Sequence, residues 1–127
     1  SQIIERETNT FILDAYNANP SSMERALISY SKFDLEKKYV ILGDMLELGT
    51  YSRKEHQRIF ELSIQLGFEK VITVGPLFYE VNQSEIAFEN VSNLKKWFYD
   101  QHFQNASFLL KGSRGIQLEH LLNSDEL

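Results

Sequence analysis

The sequence predicts one α/β domain over residues 1–127, a three-layer Rossmann-like sandwich with a mainly parallel sheet of about five to six strands. Short apolar runs alternate with segments of helical periodicity, which is the pattern of βαβ crossovers. Four of the six glycines, and Pro76, lie at the exits of these runs, as expected where strands end in turns. A chain of 127 residues can bury a core of its own, and we find no repeat or linker that divides it.

Five short apolar runs, rich in β-branched and aromatic residues, are predicted as strands. In chain order they are Thr10–Leu13, Tyr39–Leu42, Val71–Val74, Ile86–Phe88 and Ser107–Leu110. Most of them are continuously apolar, which is typical of parallel strands covered on both faces.

Segments with helical spacing separate the strands. The clearest example carries Met23, Ala26, Leu27 and Tyr30 on one face. In chain order the predicted helices are Met23–Tyr30, Ser52–Leu66, Leu77–Val81, one that begins near Ser92, and Ile116–Leu122. Ser52 begins an S-x-x-E sequence, which predicts a capping box. The residues after the last helix form a polar tail that is expected to fray.

Composition and charge exclude several classes of function. The net charge of −5 argues against a nucleic-acid-binding protein that depends on bulk positive charge. No apolar run approaches the roughly 20 residues of a membrane helix, and the first residues do not resemble a signal peptide. Cysteine is absent, which excludes disulfides and Cys-ligated metals and fits a reducing compartment. We therefore expect a cytoplasmic protein with no membrane or nucleic-acid partner.

Ligands of open parallel sheets bind beyond the carboxyl ends of the strands. This rule selects four stretches, namely Asp14–Asn19, Gly43–Gly49, Gly75–Phe78 and Lys111–Gly115. In the first, Asp14 could accept hydrogen bonds from ribose hydroxyls, and a helix start capped by Asn19 or Ser21 favours a phosphate. The alternative is plain turn and capping chemistry.

The other stretches carry charge. Asp44 and Glu47 could receive an ammonium group or metal-linked water, or could be a solvated pair of carboxylates. In Lys111–Gly115, the Arg114 guanidinium could hold a carboxylate or phosphate through two parallel hydrogen bonds. Neither G-x-x-x-x-G-K-[ST] nor G-x-G-x-x-G occurs, so the chain lacks a recognisable triphosphate cradle. His56, on the inward face of its predicted helix, is expected to support the Gly43–Gly49 loop.

Together these segments resemble the C-terminal domain of the Mur ligases, and among them the type that adds D-alanyl-D-alanine. Asp14–Met23, with the sequence DAYNANPSSM, is similar to the family segment D-S-Y-N-A-N-P-x-S-M. Leu42–Gly49 and Lys111–Gly115 match two further motifs in the right order. His56 lies where the family places a histidine after the G-D-M loop.

The resemblance implies a three-domain, ATP-dependent ligase that joins UDP-N-acetylmuramoyl-tripeptide to D-alanyl-D-alanine through an acyl phosphate. ATP and Mg²⁺ would be bound mainly by a central domain, and the UDP-sugar by a first domain. This chain would pack against both, close over the nucleotide, bind the dipeptide and be inactive alone. We expect the enzyme to be a monomer.

The resemblance also implies roles for individual residues, with no catalytic residue and no metal ligand in this domain. The implied nucleotide-binding residues are Asp14 at the ribose and Tyr16, Asn17 and Asn19 near the phosphates. The implied dipeptide-binding residues are Lys111, Gly112, Ser113 and Arg114, with Asp44 and Glu47 shaping that pocket or contacting the amine. Two alternatives remain open: a stand-alone module that binds a nucleotide or amino acid, and a Mur-type ligase domain with a different amino-acid substrate.

Overall fold

A six-stranded sheet organises residues 1–83 and 85–123, which are the residues that the computed structural model describes. The strands are β1 Gln2–Arg6, β2 Asn9–Asp14, β3 Lys38–Gly43, β4 Lys70–Val74, β5 Ile86–Phe88 and β6 Ser107–Lys111. Their order across the sheet is β1-β2-β6-β3-β4-β5. β1 pairs antiparallel with β2, and all the other pairs are parallel. The predicted polar tail lies, from residue 124 onwards, outside the described residues.

The sequence did not reveal β1, the edge strand. Within β1 only Ile4 is partly buried, and Ile3 is 70% exposed. A strand exposed on both faces has no alternation of apolar and polar residues, so periodicity cannot detect it. Pairing with β2, from Gln2 opposite Leu13 to Arg6 opposite Asn9, defines the strand.

Four α-helices lie between the strands of the described region. They are α1 Pro20–Ser31, α2 Ser52–Gln65, α3 Pro76–Val81 and α4 Val91–Asp100. The capping box predicted at Ser52 is wrong. A 3-10 turn over Gly49–Tyr51 runs directly into α2, so Ser52 already has helical angles and Tyr51 is the N-cap, without a side-chain hydrogen bond. None of the helices in residues 1–83 and 85–123 is long and apolar enough to cross a membrane.

The predicted last helix, Ile116–Leu122, is also wrong as a single helix. The chain forms two 3-10 segments there, Arg114–Ile116 and Leu118–Leu122. Gln117 separates them with a left-handed backbone, φ 62°, which interrupts a right-handed helix. Leu118, Leu121 and Leu122 are nevertheless buried, which explains the apolar spacing in the sequence.

The core consists of two clusters, one on each face of the sheet. Val40, Leu42 and Leu109 point towards α1, α2 and α3. Their strand neighbours, Ile41 and Leu110 among them, point towards α4 and the last 3-10 segment. Because successive strand residues face opposite sides, continuously apolar strands fill both clusters. The predicted three-layer α/β sandwich is confirmed.

The topology brings the ends of four strands to one edge. β2, β6, β3 and β4 are consecutive and parallel. In the register, Lys111 lies opposite both Asp14 and Leu42, and Gly43 lies opposite Val74. The loops that leave these strands therefore start side by side, as predicted from the sequence.

Asn19, the N-cap of α1, provides a first test of the fold. Its Oδ1 accepts the Ser22 backbone N–H at 3.0 Å, and its own N–H donates to Ser22 Oγ at 3.1 Å. Asn19→Ala should lower the free energy of unfolding by about 1 kcal/mol, measured by urea denaturation. Ser21→Ala, on the exposed neighbour, is the matched control and should change it by less than about 0.5 kcal/mol. Equal effects of the two variants would contradict the assignment of the cap.

Candidate functional site

A buried lysine joins the ends of β2 and β6. Lys111 Nζ donates to Asp14 Oδ2 and to the Asn17 backbone carbonyl, each at 3.0 Å. The Lys111 side chain is 4% exposed, whereas that of Asp14 is 30% exposed. The ammonium therefore lies beneath the turn after β2, and Asp14 presents its outer side to solvent.

Asp14, Tyr16 and Arg114 share one cleft at this edge of the sheet. The cleft has a volume of 530 Å³, and its lining residues are Ser1, Gln2, Leu13, Asp14, Ala15, Tyr16, Arg114 and Glu119. The Arg114 guanidinium carbon lies 4.9 Å from the centroid of the Tyr16 ring, a cation–π distance. The structure thus brings together residues that the resemblance assigned to two different ligands. A larger cleft, of 720 Å³, lies beside α4, and none of these three residues lines it.

The β3 exit loop, residues 44–49, is anchored by Asp44. This side chain is 1% exposed, and its two oxygens accept the backbone N–H groups of Leu77 and Phe78, each at 2.8 Å. Burial raises the pKa of the Asp44 carboxyl, and the two N–H groups oppose that shift. The expectation of a solvated carboxylate pair is wrong for Asp44, because the start of α3 occupies it.

Gly75 makes the contact between Asp44 and α3 possible. A Cβ on Gly75 would lie 2.3 Å from Asp44 Cγ, and its φ of 120° is a backbone conformation that suits only glycine. Gly75 is also the N-cap of α3. The Gly75–Phe78 stretch therefore holds the β3 exit loop in place through Asp44.

His56 ties the same loop to α2. The ring is fully buried, Nε2 accepts the Met45 backbone N–H at 3.0 Å, and Nδ1 lies 2.7 Å from the Ser52 carbonyl oxygen. An acceptor at Nε2 and a donor at Nδ1 together require the neutral imidazole with its proton on Nδ1. The ring also packs edge-on against Phe78, 4.6 Å between centroids. His56 therefore shapes the loop and has no face towards solvent.

The β6 exit loop, residues 112–115, is clamped onto the β3 exit loop. Ser113 Oγ accepts the Leu46 N–H, and the Ser113 N–H donates to the Asp44 carbonyl, each at 3.0 Å. A Cβ on Gly112 would lie 2.6 Å from Gly43 Cα. Ser113 is buried, so its hydroxyl serves the loop contact, whereas Arg114 and Gly115 are exposed.

The tip of the β3 exit loop is exposed and partly apolar. Leu46 is 42% exposed and Tyr51, just beyond the loop, is 70% exposed. Glu47 is exposed and has a left-handed φ of 64°. Tyr16, which is 72% exposed, adds a third large side chain to Leu46 and Tyr51 at the strand-exit edge.

Four residues outside the predicted strand-exit stretches also line the cleft, namely Ser1, Gln2, Leu13 and Glu119. Two of them come from elements that the sequence did not reveal. Gln2 reaches it because β1 lies beside β2, and Glu119 reaches it from the 3-10 segment after Gln117. Neither carries a sequence signal, because their positions depend on strand pairing and on a left-handed turn. Among residues 1–83 and 85–123, no group of three His, Cys, Asp or Glu side chains could hold a metal ion.

Comparisons with known proteins identify the family. The family model described as "Mur ligase, glutamate ligase domain" matches residues 1–110. The UDP-N-acetylmuramoyl-tripeptide–D-alanyl-D-alanine ligase of Rickettsia prowazekii is 32% identical, over 96% of this chain and 28% of its own length. The protein of the same name from Treponema pallidum is 34% identical, over 88% of this chain and 26% of its own length. This chain thus spans little more than a quarter of the length of these relatives.

Solved structures agree with the sequence matches. MurF from Acinetobacter baumannii superimposes with a TM-score of 0.83 and 29% identity, over 95% of this chain and 28% of that one. The MurF ligase of Thermotoga maritima, solved in complex with ADP, has the same fold, with a TM-score of 0.79 and 22% identity over 94% of this chain and 28% of that one. The family model covers most of the chain. The chain belongs to the Mur ligase family, as a domain of the C-terminal type.

Proposed function

We propose that this chain is the C-terminal domain of an ATP-dependent ligase that adds D-alanyl-D-alanine to UDP-N-acetylmuramoyl-tripeptide. The observation that carries the proposal is the shared cleft, in which Asp14 is partly exposed and Arg114 is exposed, while Asp44, His56 and Ser113 support the loops. The names of the relatives from Rickettsia and Treponema support the substrate assignment. The lack of cysteine fits a reducing compartment such as the cytoplasm.

The proposed reaction forms one amide bond at the expense of ATP. The tripeptide carboxylate attacks the γ-phosphorus of ATP, which gives an acyl phosphate and ADP. The dipeptide amine then attacks the acyl carbon, loses a proton, and expels inorganic phosphate. Because water competes with the amine for the acyl phosphate, the enzyme gains from closing around it.

Asp14 suits one end of the nucleotide. Lys111 engages Oδ2, which leaves Oδ1 able to accept hydrogen bonds from ribose hydroxyls. The exposed Tyr16 ring and the Asn17 turn lie immediately beside it. The Asn19 side chain caps α1, so we assign Asn19 the shaping of the turn near the phosphates.

Arg114 suits the dipeptide carboxylate. It is exposed in the cleft, and its guanidinium can donate two parallel hydrogen bonds to a carboxylate. The backbone of Gly112 and Ser113 sets its position, because both residues are packed against the β3 exit loop. Glu47, at the exposed tip of that loop, is the carboxylate best placed on it to meet the dipeptide amine.

Magnesium, which the family resemblance implies, does not fit the described residues. Asp44 accepts two backbone N–H groups, and Asp14 is paired with a lysine. Neither arrangement supplies the cluster of free carboxylate oxygens that this cation prefers. We therefore place its ligands in other parts of the enzyme and derive no step of this domain through it.

Closure of this domain against the rest of the enzyme would bury the exposed side chains at the strand-exit edge. Leu46, Tyr51 and Tyr16 flank the strand exits and are exposed in this chain. Burying them against a neighbouring domain would exclude water from the reacting centre. Such packing would account for the large apolar side chains that are exposed next to the candidate site.

Phosphate release by purified protein tests the proposed function. The complete enzyme that contains this chain should release phosphate from ATP only when both UDP-N-acetylmuramoyl-tripeptide and D-alanyl-D-alanine are present. Residues 1–127 alone should give no turnover, because no phosphate-binding G-x-x-x-x-G-K-[ST] loop lies within them. Preference for a different amino acid, or tight binding of a nucleotide by residues 1–127 alone, would favour one of the alternative functions.

A further inference from the structure

We propose that Lys111 is a positioning residue that acts on the nucleotide through Asp14, and that it does not contact the dipeptide. The inference rests on the proposed function and refines the role that the resemblance gives to the K-G-S-R-G motif. Lys111 is the last residue of β6. It occupies the floor of the site, whereas Arg114, three residues later, is exposed at the mouth of the cleft.

Burial decides which partner Lys111 can serve. Its side chain is 4% exposed and does not line the cleft that holds Asp14, Tyr16 and Arg114. A buried ammonium must be paired and hydrogen-bonded to be stable. The Asp14 carboxylate and the Asn17 carbonyl supply these contacts, both at 3.0 Å. A ligand carboxylate would have to displace Asp14 to reach the lysine.

The two contacts fix the orientation of the nucleotide side of the site. β2 and β6 are adjacent and parallel, with Asp14 opposite Lys111, so the pairing is built into the register of the sheet. Lys111 binds Oδ2 of Asp14 and the backbone carbonyl of Asn17, three residues further along the turn. Tyr16, between these two anchors, carries the Arg114 guanidinium on its ring. The lysine therefore orders the whole turn that faces the cleft.

Steady-state kinetics of the complete enzyme test the inference. Lys111→Met removes the charge and keeps most of the volume, and Asp14→Asn removes the partner. Each should raise the KM for ATP about tenfold or more, with the KM for D-alanyl-D-alanine within about twofold of the unchanged enzyme. The double variant should be no worse than the worse single variant, because the two residues act as a unit.

Two further variants separate positioning from a general structural role. The matched control is Lys70→Met. Lys70 is exposed and is the first residue of β4, at the edge of the sheet opposite the site, so this variant should leave both KM values unchanged. If Lys111→Met does not fold, Lys111→Gln keeps a donor for the Asn17 carbonyl and should show the same rise in the KM for ATP. A purely structural role would reduce the active fraction, which lowers kcat and leaves KM unaltered; that result would overturn the inference.

Other results would overturn the positioning role of Lys111 and leave the proposed function intact. A raised KM for the dipeptide with a normal KM for ATP would make Lys111 a dipeptide ligand. Additive effects of Lys111→Met and Asp14→Asn would show that the lysine does not act through Asp14. Should the unchanged enzyme not require D-alanyl-D-alanine, the proposed function fails, and weaker ADP binding by Lys111→Met, measured by calorimetry, still decides the positioning role.

Discussion

Arg114→Lys in the complete enzyme is expected to lower kcat/KM for D-alanyl-D-alanine about 10- to 150-fold, which corresponds to about 1.5–3 kcal/mol for a hydrogen bond to a charged group. Lysine keeps the charge but cannot present two parallel donors to a carboxylate. The KM values for ATP and for UDP-N-acetylmuramoyl-tripeptide should change little. Initial rates at varied dipeptide concentration, with the other substrates saturating, measure the effect.

The stability of the Arg114→Lys variant should stay near that of the unchanged protein. Arg114 is exposed, and its contact with the Tyr16 ring is worth about 0.5–1 kcal/mol at such a site. Arg58→Lys is the matched control, because Arg58 forms exposed ion pairs with Glu24 and Glu55 on the helical surface. Dipeptide kinetics that are alike for both variants would remove Arg114 from the site.

Gly112→Ala is expected to destabilise the domain strongly, because it crowds two strand ends. The added Cβ would lie 2.6 Å from Gly43 Cα and 2.9 Å from Gly43 N. Both are backbone atoms at the end of β3, so neither can rotate away as a flexible side chain would. We expect a loss of about 3 kcal/mol in the free energy of unfolding, at the upper end of overpacking effects, measured by urea denaturation.

Gly67→Ala is the control that separates crowding from backbone strain. Gly67 has a φ of 75° and no atom within 4 Å of its added Cβ, so its substitution costs only the left-handed strain of about 1–2 kcal/mol. Gly112, in contrast, has no positive φ. If Gly112→Ala unfolds at the same urea concentration as Gly67→Ala, the close approach of the β3 and β6 exits is not as tight as described.

The supports of the site illustrate what a sequence cannot reveal. Asp44 reads as a charged residue in a glycine-bounded loop, and only the position of α3 shows that both of its oxygens accept backbone N–H groups. Lys111 and Arg114 are both cations in one motif, yet one is buried and the other exposed. The difference comes from the direction of β6 and from the pairing of Lys111 with Asp14. Neither feature can be read from the local spacing of residues.

The sequence by itself determined the sheet and the edge at which the loops meet. Buried parallel strands must be continuously apolar, and the turns that follow them need glycine, proline or asparagine, so both features are local and visible in the chain. The tertiary structure alone decided the presence of β1, the break at Gln117 and the division of labour among the charged residues. The roles of the charged residues depend on contacts between residues as far apart as Asp14 and Lys111, whose free energy comes from desolvation and pairing that exist only in the folded chain.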